Sequence, residues 1–541
     1  MSATRFFETI PLRLTPLTPI HIGCGLDFEP TNYVIDDGAL FHFDPSRVVL
    51  EARERRELID SVNAGSAALL RVQRFFHERR ERFTAVASQV IPVAAGVAAQ
   101  HAGRIGQVAQ RESDGRQVNN LLQIERTAHH PHTGVAFLPG SSLKGAFRTA
   151  WLDQLNGGRT LESNERANQL EKRLLGGAFH TDPFRSVMLS DGIGASVVSK
   201  VLFSTNQKKR QVFNRGGEEV AGRGPATRRE CILGGQLAAM NCELRLALLP
   251  GQHPRASVPS SHLRWRDLAI ASNRYFVPRL HSELGLLDER GFCDPRWSDG
   301  VRTLLQHLGS DLETGRGVLL RVGRHSGAEN VTLDGVRQIR IMQAPRTPPR
   351  VADAATTLWM AAEYENATRG SLLPFGWLLI ERGDSEPSEA LQTWCASQPK
   401  PDLAAVQARL TAARAVAAQA ALEAAAQRAR QGQEAIAIAR EEAMEAQVQA
   451  ARSPNQREIH ALALALRDKA ASLKGGKDRA NTELHGRARR LAQRALDEVW
   501  PAHERSELAL MLETELPKVV NVDMRDERKK LKLAALREGA G

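Results

Sequence analysis

The composition of this chain changes abruptly at Glu386-Pro387, and that change limits what it can fold into more than any other feature. Beyond it Ala, Gln, Arg and Glu dominate, and Leu403 to Arg452 is an almost unbroken run of helix formers. Ser453-Pro454 restarts a helix, Gly475-Gly476 interrupts it and Trp500-Pro501 ends another. The tail from Arg525 to Leu533 is basic and amphipathic. The region 387–541 is therefore expected to be a separate α-helical domain or arm. A total of 541 residues exceeds one ordinary core, so two or more domains are expected.

Before the change the pattern is α+β. Ile10, Leu12 and Leu14 alternate with Pro11, Arg13 and Thr15, the period of a half-buried strand. It runs into His21-Ile22-Gly23-Cys24-Gly25, where glycines let the backbone turn or approach a ligand. Asp37-Gly38 between two apolar runs is a hairpin signal, and Asp44-Pro45 reads as the start of a helix. Residues from about 65 to 128 are rich in Arg, Gln and Ala, contain Gly103, Gly106 and Gly115, and are expected to form a helical insertion. The segment 204–230 carries Lys208, Lys209, Arg210, Arg215, Arg223, Arg228 and Arg229 around Gly216-Gly217, and reads as a long basic hairpin projecting from a sheet. We therefore expect an N-terminal part over 1–200, with the insertion at 65–128, and a second part over 201–386 that carries the hairpin.

Lys and Arg outnumber Asp and Glu by 73 to 62, a net charge of +11 that favours a polyanionic partner without naming it. Aromatic residues are only 5%, low for a protein that holds single strands mainly by base stacking, so backbone contacts would carry more of the affinity. The five cysteines form no Cys-x-x-Cys pair, which argues against zinc knuckles and a disulfide framework and fits a reducing cytosol. No apolar run is long enough to span a bilayer and no signal-peptide pattern opens the chain, so a cytoplasmic protein without membrane contact is expected.

Gly140-Ser141-Ser142-Leu143-Lys144-Gly145 lacks the Gly-Lys-Ser/Thr of a nucleoside-triphosphate loop. It still places a helix N-terminus beside Lys144 and Arg148, one turn apart, an arrangement that suits a phosphate and equally suits a capped helix with solvated cations. The glycines of Gly315-Arg316-Gly317 and Gly323-Arg324-His325-Ser326-Gly327 bracket the strand at 318–322, so an RNA backbone has room to lie close there, although two ordinary turns would look the same. His129, His130 and His132 lack a matching carboxylate or cysteine pattern, so no metal is expected. Asp182 and Asp191 flank an apolar segment and read as turn and capping residues, and His21 as a packed histidine. No nucleophile elbow is legible, and no cofactor is expected.

Taken together, Thr15 to Gly25, Glu29 to Tyr33, Phe137 to Ala150, Asp182 to Arg185 with Ser190-Asp191, the turn Gly323 to Gly327 and Leu373 to Trp377 resemble RAMP-superfamily subunits of type III CRISPR complexes. Their order is most similar to the RAMP subunit of the Csm complex that caps the backbone near the crRNA 3′ end. The resemblance spans roughly residues 8–385. Cys24 stands where a small residue such as Ser is more usual, and Arg324-His325 replaces a more glycine-rich turn.

The resemblance implies a ferredoxin-like, RRM-related core and a non-catalytic subunit that binds crRNA, with antiviral defence as its setting. It implies contact with target RNA only indirectly, and other RAMP subunits and helical small subunits as protein partners. On that reading Gly23, Gly25, Gly140, Ser141, Ser142, Lys144, Gly145, Arg148, Lys208, Lys209, Arg210, Arg324 and Gly327 face RNA. Two other readings stand beside it. One is a RAMP endoribonuclease that processes crRNA or cuts target RNA, using His21, His325 or Asp27; the other is a helical scaffold that recruits partners through the region after Glu386.

Overall fold

The computed structural model describes residues 6–111, 117–162, 165–176, 182–217, 219–220, 222, 224–248, 262–343, 347–473, 475–498 and 500–538. Arg223 and Gly115, singled out above, lie outside the described residues. The chain divides into two compact units, residues 1–418 and 419–541. Among the described residues no helix is long and apolar enough to cross a membrane.

The first unit is mixed α and β. Strand Phe7–Pro16 buries Ile10, Leu12 and Leu14, as their alternation predicts. It lies at the centre of a five-stranded sheet, between Met240–Ala247 on one side and Trp377–Arg382 on the other, both antiparallel to it. Val187–Leu189 and Gly317–Arg321 complete the two edges. Helices Gly140–Asn156 and Trp265–Glu289 pack against each other and against this sheet. Phe147 meets Trp265 edge to face at 6.3 Å, and Phe276 meets Trp377 likewise. The buried Asn273 fastens helix to sheet, donating to the Leu312 and Gly317 carbonyls and accepting from the Leu319 N–H.

A second, six-stranded sheet runs in the order Leu373–Pro374, Thr357–Ala362, Ser199–Lys208, Thr227–Ile232, Ile124–Thr127, Gly23–Phe28. The bridge between Ile20 and Ile232 carries the chain from the first sheet into this one. Both sheets therefore draw strands from before and after residue 200. Between strands Tyr33–Asp36 and Ala39–His42, Asp37 (φ 47°) and Gly38 (φ 72°) both take left-handed backbone, the tight hairpin their sequence predicts. The stretch 65–128 differs from the expected helical insertion. It does hold helices Ala68–Glu78, Arg80–Ala85 and Ala95–Arg104, but also strands Gln89–Pro92 and Ile124–Thr127, which join two different sheets. Phe43, Phe75, Phe76 and Phe83 cluster there into a small core that also takes in Leu410.

Helix Ala404–Ala451 contains the division between the two units. In the second unit, helix Pro454–Ser472 starts at a capping box between Ser453 and Gln456. Helices Glu483–Asp497, Ala502–Val519, Met524–Lys530 and Leu533–Arg537 follow. Leu462, Leu466, Leu491, Leu508, Leu512 and Leu516 form its own core, consistent with the apolar periodicity of these segments.

Candidate nucleic-acid interface

Strand Gly23–Phe28 ends the six-stranded sheet, so among the described residues one of its sides has no strand neighbour. Its pairing with Ile124–Thr127 steps from Gly23↔Thr127 to Asp27↔Glu125, four residues against two, and this bulge exposes Gly23, Cys24, Gly25 and Leu26. Gly25 has φ +76°, and a Cβ added there would meet nothing within 4 Å. The result is a projecting, side-chain-poor edge.

The Gly323–Gly327 turn lies against the start of this edge. Arg324 donates its backbone N–H to the His21 carbonyl at 2.8 Å. Gly323, His325 and Gly327 all have positive φ, and a Cβ on Gly323 would stand 2.5 Å from the His21 carbonyl oxygen. His325 is carried inward, stacked on Trp359 at 4.7 Å, and burial lowers its pKa to about 3. The Arg324 side chain points the other way, 56% exposed, with Nη1 3.3 Å from Glu125. Gly23, Gly25 and Arg324, expected from the sequence to share a role, are thus brought to one region, whereas Gly327 lines a cavity with Arg321, Glu329 and Asn330.

Beneath the edge lies a charged layer the sequence did not reveal. His21 is fully buried; its Nδ1 donates to the Glu230 carbonyl at 2.7 Å, and burial lowers its pKa to about 4. Arg229, 2% exposed, pairs with Glu125 and comes within 3.5 Å of His21 Nε2. The Glu230 carboxyl accepts from Ser199 Oγ at 2.8 Å and from the Thr127 N–H at 3.3 Å, and Arg126 Nε is 4.0 Å away. Burial nonetheless raises its pKa to about 7, outweighing those three contacts. Asp27, one of the three acid/base candidates, lies on this edge with its pKa raised, chiefly by burial and then by Glu125 and Glu29.

The helix start at Gly140 forms a second, separate cluster. Gly140 donates its N–H to Asp191 Oδ1 at 2.7 Å, and a Cβ there would collide with the Leu189 carbonyl. The Ser142 N–H is taken by the Pro139 carbonyl, while Ser141 and Gly145 are exposed. Lys144 donates to the Val187 carbonyl at 2.8 Å, and burial lowers its pKa. Arg148 pairs with Glu171 and Asp182 at 2.6 and 2.8 Å; burial alone would lower its pKa, but those two carboxylates hold it above the usual value. Asp182 also caps the Phe184 N–H, the local cap its sequence context predicts, whereas Asp191 caps the start of a helix 51 residues away. Cations one turn apart are legible in sequence; the carboxylates that face them are not.

The basic hairpin is only partly outward. Strands Ser199–Lys208 and Thr227–Ile232 pair directly, with Arg210 and Arg215 on the exposed connection. Lys208 is half-buried and Lys209 pairs with Glu329 at 2.6 Å. Arg228 is half-buried, and Arg229 is the inward partner of Glu125.

Against known proteins, a family model described as the RAMP superfamily matches residues 13–234. No curated protein matches the chain. The crystal structure of T. onnurineus Csm5 is similar at 14% identity and TM-score 0.38, over 68% of this chain and 99% of that one. A chain in the cryo-EM structure of a Csm-crRNA-target RNA ternary complex of a type III-A CRISPR-Cas system is similar at 14% identity and TM-score 0.35, over 69% and 100%. The matched segment runs from the central strand through the glycine edge, the Gly140 helix and the basic hairpin. Over residues 13–234 this chain is similar to the RAMP superfamily.

Proposed function

We propose that this protein is a non-catalytic crRNA-binding subunit of a type III CRISPR ribonucleoprotein, capping the backbone near the crRNA 3′ end. The family match and the motif order from Thr15 to Trp377 support it. The observation that carries it is the union of the two glycine turns. Gly323 lets Arg324 bond the His21 carbonyl, and this sets an exposed guanidinium beside the open Gly23–Gly25 edge. A backbone with few side chains and one exposed guanidinium suits sugar-phosphate contacts, which position a strand without reading its bases.

The first sheet supports a ferredoxin-like core. Val187–Leu189, Met240–Ala247, Phe7–Pro16 and Trp377–Arg382 lie in the order 2-3-1-4, with helices Gly140–Asn156 and Trp265–Glu289 in the two crossover positions and Gly317–Arg321 added at the edge. Two of the three acid/base candidates, His21 and His325, are withdrawn from a reacting strand, which favours the non-catalytic reading. The first has no exposed surface and its Nδ1 is committed to a carbonyl; the second is stacked on Trp359. We assign crRNA and other RAMP and helical small subunits as partners, target RNA only indirectly, and a cytoplasmic setting.

Affinity purification of the tagged chain from cells expressing a repeat-spacer transcript tests this reading. A discrete short RNA with further RAMP subunits is expected; recovery of neither overturns it.

A further inference from the structure

From residue 419 onward, helix Ala404–Ala451 belongs to the second unit. Every residue from Ala425 to Ala451 is exposed, and among the described residues of the whole helix only Leu410, in the first unit, is buried. A helix that buries no face of its own is ordinarily polar all round. This one is not. Ile436, Met444 and Val448 are each more than half exposed, and their spacings of eight and four residues put them on one side of the helix. Facing them is helix Pro454–Ser472, which sends Ile459, Leu462 and Leu466 into the core of the unit and leaves Leu464 more than half exposed. These four apolar side chains line a groove of about 1280 Å³. Its long wall runs from Gln433 to Arg452, about 28 Å of helix, room for a second helix of about five turns.

The charges on this groove are also unmatched. Glu441, Glu442 and Glu445 line it, all three are exposed, and among the described residues none of them makes an ion pair. Glu441 and Glu445 stand one turn apart on the same face, where like charges repel. Arg440 and Arg452 line the groove too, but Arg452 is at its end, bonded to Gln449 Oε1 at 3.1 Å, and Arg440 can neutralise only one of the three carboxylates. Elsewhere in the unit Glu458, Glu513, Glu515 and Glu527 each hold a cation. An open apolar stripe and an unpaired acidic turn therefore share one groove.

We infer that this groove seats an amphipathic α-helix of a partner protein, with an apolar stripe at i, i+3 or i+4, and i+7 against Ile436, Met444, Val448 and Leu464, and Lys or Arg beside that stripe to meet Glu441, Glu442 and Glu445. The groove lies in the second unit, does not depend on RNA binding and goes beyond the proposed function.

Fluorescence anisotropy on the full chain tests this with two synthetic helical peptides of about five turns that carry the same leucine stripe on an alanine background, one flanked by lysines and the other by glutamates. The lysine-flanked peptide is expected to bind at least about tenfold more tightly. Met444→Glu and Leu464→Glu change exposed side chains, so the fold should persist, with an unchanged melting temperature as the check, while binding weakens at least about tenfold. Glu441→Lys, Glu442→Lys and Glu445→Lys together should reverse the preference between the peptides. Binding of neither peptide, binding indifferent to Met444→Glu and Leu464→Glu, or a preference unchanged in the triple variant overturns the inference. Sedimentation velocity of the chain alone should show a monomer; an oligomer that Met444→Glu disperses assigns the groove to a second copy and overturns it as well. Peptide binding in a chain that holds no RNA upholds this inference while overturning the proposed function.

Discussion

The Arg324 backbone N–H reaches the His21 carbonyl at 2.8 Å, joining two turns from opposite ends of the first unit. One turn contributes an exposed glycine edge, the other an exposed guanidinium, and neither is a site alone.

Gly323→Ala should break that joint. The new Cβ would stand 2.5 Å from the His21 oxygen at φ +85°, so a loss of about 2–4 kcal/mol is expected. Gly25→Ala faces open space at φ +76° and should cost only about 1–2 kcal/mol. Urea unfolding of the two variants checks the ranking; equal losses would show that the close approach is unimportant.

Arg324→Ala should leave stability within about 0.5 kcal/mol, because the side chain is 56% exposed and its contact with Glu125 is a surface pair. RNA affinity should fall, with the slope of log K against log salt reduced by about one. Filter binding over a salt series measures it.

Glu230 makes stability depend on pH with an unusual sign. Its folded pKa, about 7, lies above the ordinary carboxylate value of 4.5, so the folded state holds its proton more tightly. Its contribution is full below pH 4.5 and is lost as pH rises to 7, at up to about 1.4 kcal/mol per pH unit. Glu230→Gln should remove this decline; denaturant midpoints between pH 4.5 and 8, compared with the parent chain, report it.

Four histidines act oppositely. Burial lowers His21 and His42 to about 4, and His101 and His325 to about 3, so their contribution is present above pH 6.5 and is lost as pH falls toward 4. Net acid destabilisation below pH 6.5 is expected, steeper in Glu230→Gln because the opposing group is gone. A flat profile between pH 6.5 and 4 would contradict the placement of these imidazoles.

Local chemistry was the legible part of the sequence. The Asp37-Gly38 hairpin, the alternation at Ile10, Leu12 and Leu14, the Gly475-Gly476 break and the cap Asp182 depend on neighbours a few residues away. What escaped depends on distant pairing. Strand Ile124–Thr127 is four residues long and holds its place by joining Gly23–Phe28 and Thr227–Ile232, so its own sequence carries little strand signal. Arg229 belongs to a basic run that reads as solvated, yet strand pairing with Ser199–Ser204 turns it inward onto Glu125. The spacing of Gly23, Gly25 and Arg324 suggested backbone approach, but not that Gly323 joins them.

The most direct measurement is to incubate the purified full chain with end-labelled repeat-derived RNA, with and without Mg²⁺, and follow both binding and strand integrity. The account predicts salt-sensitive binding, weakened by Arg324→Ala, with the RNA intact in both conditions. Cleavage that survives purification, or binding indifferent to salt and to Arg324, would contradict it.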